Sequence, residues 1–123
     1  MEAAVYTRET VLHVSVLAPF YTLCGLDKIA LNLESDKRIE FDPILYISPQ
    51  EIYEKWFPLI RSKIATTYEG YQFTPYSILK ERVSTLSVSG AKIRKGQDAS
   101  VFQALFTTED VTNYKMVGDY LYE

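Results

Sequence analysis

His13 and Ser15 stand two residues apart inside a seventeen-residue run, 10–26, that carries no charged side chain. His13 is the only histidine, so a serine or cysteine nucleophile in this chain has one base available to take its proton. On a strand the two side chains share a face at roughly 6.5–7 Å, too far for direct proton transfer. The pair therefore reads as part of a sheet face, not as a dyad. Cys24, the only cysteine, lies in the same run; it has no partner for an intramolecular disulfide and fits a buried, inert thiol.

Other chemistries find fewer residues still. One histidine and one cysteine do not make a zinc set. The acidic pairs Asp36 with Glu40 and Glu109 with Asp110 sit beside turns, and no loop has calcium spacing. Gly25, Gly70, Gly90, Gly96 and Gly118 are isolated, so neither glycine-rich phosphate motif is present. Nothing favours a carboxylate-pair hydrolase. No catalytic residue, metal or cofactor is assigned.

What stands out instead is aromatic and basic. The chain has ten tyrosines, and tyrosine gives rigid, amphipathic contact area at low entropic cost. Tyr114, Tyr120 and Tyr122 fall on one parity near the C-terminus, and Tyr71 and Tyr76 lie in a second aromatic segment, Tyr68–Tyr76. Lys92 and Arg94 share a parity in a basic segment suited to an acidic partner or an anionic ligand. These seven residues are the candidate binding set. Each also has a purely structural role open to it: tyrosine rings cap cores, and lysines on an edge strand discourage pairing with other chains.

Charge is segregated along the chain. Residues 1–60 carry nine acids against five bases, 61–100 seven bases against three acids, and 101–123 four acids against one base. A middle excess of four without an arginine-rich run is a thin footprint for nucleic acid. The run 10–26 is too polar for a helical membrane span, and residues 1–9 lack the basic start of a signal peptide. A soluble, cytoplasmic protein is expected.

These residues need elements to hold them. Leu12, Val14, Val16, Ala18 and Phe20 alternate through the neutral run, which predicts one central strand with its even face in the core. Gly25-Leu26-Asp27 reads as a turn, followed by a strand with Ile29, Leu31 and Leu33 inward. Ser35-Asp36-Lys37 supplies hairpin chemistry, and Asp42-Pro43 interrupts the return strand before an edge segment over 44–47. Ser48-Pro49-Gln50-Glu51 has the form of a capping box opening a helix. That helix would bury Ile52, Trp56, Ile60 and Ile64 and be kinked or split at Pro58 into 49–56 and 58–67. Thr74-Pro75 suggests a short second helix to residue 82. A meander should close the chain, with a bulge at Gly90, a central strand over 101–106 and a final strand over 113–122.

The sum is a single α+β domain over 1–123. It has a largely antiparallel sheet of five to six strands with one kinked or two short helices on one face, in the order β-β-β-α-(α)-β-β-β. That order is similar to sensory domains of the PAS or profilin-like kind in coarse pattern alone, and pattern does not imply function. The leading expectation is a small non-enzymatic protein-binding module, such as an immunity-type inhibitor or adaptor. The alternative is a ligand-sensing domain with a pocket between sheet and helix near Trp56, and an enzyme of unknown class ranks below both. A protein partner is expected, with a homodimer through the exposed final strand as a further expectation.

Overall fold

The computed structural model describes residues 3–84, 88, 90–93, 96–107, 109, 111 and 114–123. Its order is β1 (Ala3–Val14), β2 (Phe20–Asn32), β3 (Arg38–Glu40), β4 (Ile44–Tyr46), α1 (Tyr53–Thr67), β5 (Gln72–Phe73), α2 (Tyr76–Leu79), α3 (Val101–Leu105) and β6 (Lys115–Val117). The six strands form one mostly antiparallel sheet in the order β1-β2-β4-β6, with β3 and β5 each pairing with β2. This is the α+β class expected from the sequence.

The neutral run is a hairpin, not one strand. β1 and β2 pair antiparallel from Ala3 opposite Asn32 to Val14 opposite Tyr21. Between them the Ser15 hydroxyl accepts from the Leu17 amide at 3.1 Å, offering the backbone a local alternative to the ladder. Pro19 has no amide to continue it. The even file breaks accordingly, with Leu12 38% and Val16 96% exposed. In β2, residues 21–25 are buried on both parities, as befits a strand covered on both faces.

One face meets α1, where Leu23, Tyr46, Tyr53 and Phe57 form a core. The other is closed by the short helices, with Cys24, Leu45, Ile47, Tyr76, Leu79 and Phe102 in contact. Gly25 is not a turn residue. It lies in the middle of β2, where the Tyr53 ring occupies the space a Cβ would need. β4 is interior, lying between β2 and β6.

The Ser48–Glu51 capping box does not form. The Ser48 hydroxyl accepts from the Asp119 amide at 2.9 Å, and Glu51 adopts φ 51° and pairs with Arg8. Long-range partners outcompete the local cap, and α1 begins two residues after Glu51. It runs unbroken through Pro58 and buries Tyr53, Phe57 and Ile64. The buried stripe is rotated by one position at its start, so Ile52 and Trp56 face outward at 44% and 46% exposure.

The capping box that does form is Ser100–Gln103. The Ser100 hydroxyl accepts from the Gln103 amide, and the Gln103 side chain accepts from the Ser100 amide. It turns the expected strand over 101–106 into α3. A short run apolar on both parities is ambiguous between buried strand and buried helix, and here the cap decides. Arg82 and Ser100 form an isolated bridge. Among the described residues the expected strands between them are absent, and much of 85–95 lies outside the described set. At the C-terminus, Gly118 at φ 124° ends β6 after three residues.

Candidate binding cleft

The turn at Gly118 decides where the C-terminal tyrosines go. Gly118 follows the end of β6 with φ 124°, and the Ser48 side chain crowds the position a Cβ there would take. Asp119 then caps the turn, its carboxylate accepting from the Leu121 amide at 2.9 Å. The Tyr120 carbonyl accepts from the Ser77 amide of α2 at 3.0 Å. These bonds place Tyr120 against Tyr76, ring centroids 5.6 Å apart. Tyr122, two residues on, turns to the other face of the sheet, packing on Phe57 and Phe73 and accepting from Arg61 at 3.2 Å.

Tyr76, Tyr114 and Tyr120 thereby line one open cleft of about 510 Å³, together with Met116 of β6 and the cations Lys80 and Arg82. Lys80 follows α2, and its ammonium lies 5.7 Å from the centre of the Tyr120 ring. Arg82 is held by donating to the Asp98 carbonyl at 2.8 Å. No carboxylate is among the described lining residues. Tyr76 is the buried floor, and Tyr120 is an exposed wall at 46%. An aromatic floor and wall beside two cations favours an anionic group that also presents apolar surface.

Of the seven candidate residues, then, Tyr76, Tyr114 and Tyr120 come together. Tyr122 is displaced to the α1 face, and Tyr71 lies in the loop after α1 with its ring 5.4 Å from that of Tyr68. Lys92 is exposed and paired with Glu109, which holds its ammonium pKa above the usual lysine value. Arg94 lies outside the described residues. Lys80 and Arg82 belong to the basic middle segment 61–100 of the sequence, but their approach to Tyr120 depends on the C-terminal turn, which the sequence does not show.

A second polar cluster was not visible in the sequence. Asp27, 2% exposed in β2, accepts from Tyr6 at 2.8 Å, from Tyr53 at 2.6 Å and from two nitrogens of Arg8 at 3.0–3.2 Å. Burial acts to raise the Asp27 pKa, but the bonds from Arg8, Tyr53 and Tyr6 outweigh it and hold the carboxyl below its usual range. Burial and the bond to Asp27 push the Tyr53 phenol up. Every strong donor here is already committed to Asp27, and Arg8 is also bonded to Glu51, so the cluster fastens β1, β2 and α1 together.

His13 sits edge-on to Phe102 at 5.1 Å and near Phe106 at 5.9 Å, and desolvation lowers its pKa. Its buried Nδ1 has no hydrogen-bond partner among the described residues, Ser15 included. The Cys24 thiol is pushed up to about 12 by burial, far from a reactive thiolate. No group of acids, histidines and cysteines able to hold a metal occurs among the described residues. Nor is any described helix long and apolar enough to cross a membrane. The space near Trp56 between sheet and helix is taken by the rings of Tyr53 and Phe57, each fully buried. No family model, curated protein or solved structure matches the chain.

Proposed function

We propose that the chain is a non-enzymatic protein-binding module, of the immunity-type inhibitor or adaptor kind, whose contact surface centres on the Tyr76–Lys80–Tyr120 cleft. The observation that carries this reading is the convergence of three tyrosines with Lys80 and Arg82 in one open depression, with no carboxylate among its described lining residues. An open cleft of this kind suits a protruding acidic segment better than an enclosed metabolite, which pockets usually bury by 70–90%. Tyrosine and arginine are also the residue types enriched among interface anchors. The partner expected is a protein that presents carboxylates beside an apolar or aromatic side chain.

Affinity capture from the source cells tests this with the wild-type chain and the Tyr120→Ala and Lys80→Glu variants, read by quantitative mass spectrometry. Truncating a central tyrosine anchor costs roughly 1–2 kcal/mol of binding, about tenfold in affinity. A partner recovered by the wild type and depleted about tenfold in both variants supports the reading. Equal recovery by all three chains rejects it.

A further inference from the structure

β1 is a sheet edge twelve residues long, and among the described residues it pairs with β2 alone. The bond from the Ser15 amide to the Phe20 carbonyl at 3.0 Å fixes which of its backbone groups are spent on β2. Hydrogen-bonded pairs alternate along an antiparallel ladder, so the odd residues of β1 bond to β2. Ala4, Tyr6, Arg8, Thr10, Leu12 and Val14 turn their amides and carbonyls outward. The Ile29 carbonyl agrees, since it lies opposite Tyr6 and accepts from Phe41 on the other side of β2. Among the described residues no backbone hydrogen bond reaches those six positions. An edge of this length normally carries a proline, a bulge or a free lysine that prevents pairing. β1 has no proline, glycine or lysine, and its two described charges are engaged, Arg8 with Asp27 and Glu9 with Lys28.

We infer that β1 pairs antiparallel with β1 of a second copy, about a two-fold axis at Thr7. Side chains opposed across such an axis must share a face, so the axis passes through a residue and not between two. Axes at Arg8 or Glu9 set like charges directly opposite each other, which opposes pairing. The axis at Thr7 places threonine opposite threonine and Tyr6 opposite Arg8 of the second copy, on both sides. That contact repeats between chains the one already made within each, where the Arg8 guanidinium lies 5.3 Å from the Tyr6 ring. Ala4 opposite Thr10 completes the overlap, giving about eight backbone hydrogen bonds between the copies. The exposed Val5 and Tyr6 side chains, 39% and 54% accessible, lie within the overlap.

Sedimentation velocity across a concentration series tests the pairing and its register together. The wild-type chain should associate to a dimer, and Thr7→Lys and Thr7→Glu should each be monomeric, because each sets like charges at the axis. An equimolar mixture of the two variants should recover a dimer, because lysine then faces glutamate. A wild-type chain that stays monomeric into the millimolar range overturns the inference. So does a dimer that persists in both single variants, or a mixture that stays monomeric. Circular dichroism confirms that each variant is folded, and Thr7→Ser, which leaves the axis uncharged, should dimerise like the wild type.

Discussion

Replacing Asp27 with alanine removes the acceptor on which three elements converge. The Tyr53 hydroxyl, in a fully buried residue, loses its 2.6 Å bond and gains no other acceptor. A buried donor left unsatisfied costs about 1–3 kcal/mol. Breaking a buried charge pair by removing one partner costs about 3–5 kcal/mol when the other charge is stranded. Arg8 is not stranded, since it is 24% exposed and keeps Glu51, so the loss should fall near the lower end, about 3 kcal/mol. That corresponds to a fall of roughly 9–18 °C in Tm for a domain of this size. Asp27→Asn keeps an oxygen for Tyr53 and should lose about 1–2 kcal/mol. Urea denaturation at neutral pH measures both. A double-mutant cycle sharpens the claim: Tyr53→Phe should cost about 1.5–3 kcal/mol in the wild type and nothing measurable beside Asp27→Ala. An alanine variant within about 1 kcal/mol of the wild type, or additive costs in the cycle, would show that Asp27 does not hold these elements together.

Three further outcomes follow from the same geometry. Asp27 titrates lower folded than unfolded, so the native chain binds fewer protons; its contribution is present above pH about 4 and lost as pH falls below it. Asp27→Asn should flatten that acid limb of the stability profile. His13 is also depressed when folded, so its contribution is present above pH about 6.5 and declines as pH falls below it. His13→Leu should remove the loss between neutral pH and pH about 5, and a profile identical to the wild type would count against its packing on Phe102 and Phe106. Gly25→Ala should cost about 1–3 kcal/mol or more by forcing the Tyr53 ring aside; a neutral effect in thermal unfolding would contradict that packing.

The α+β class, the Ser35–Lys37 hairpin, the break at Pro43 and the helix opening after Pro75 were legible because each rests on local chemistry. Two of the errors share one physical source. Ser48 and Glu51 carry the local signal of a cap, yet Asp119 and Arg8, far off in sequence, claim their side chains. Gly25 and Asp27 carry the local signal of a turn, yet one makes room for the Tyr53 ring and the other accepts from Tyr53 and pairs with Arg8. In both cases a tertiary partner overrides a propensity worth only about 1 kcal/mol. The candidate site was half legible. Tyrosine content pointed to Tyr76, Tyr114 and Tyr120, whereas period two put Tyr122 beside them until the positive φ of Gly118 broke the file.

A cleft that meets a protein should be in direct contact with it in the cell. Site-specific photocrosslinking in the source cells tests it most directly, with a benzophenone amino acid at Tyr120 and, as a control, at the exposed Leu17. One discrete protein adduct is expected from position 120, lost when Lys80→Glu is added, and none from position 17. No adduct at position 120, or the same adducts from both positions, would contradict it.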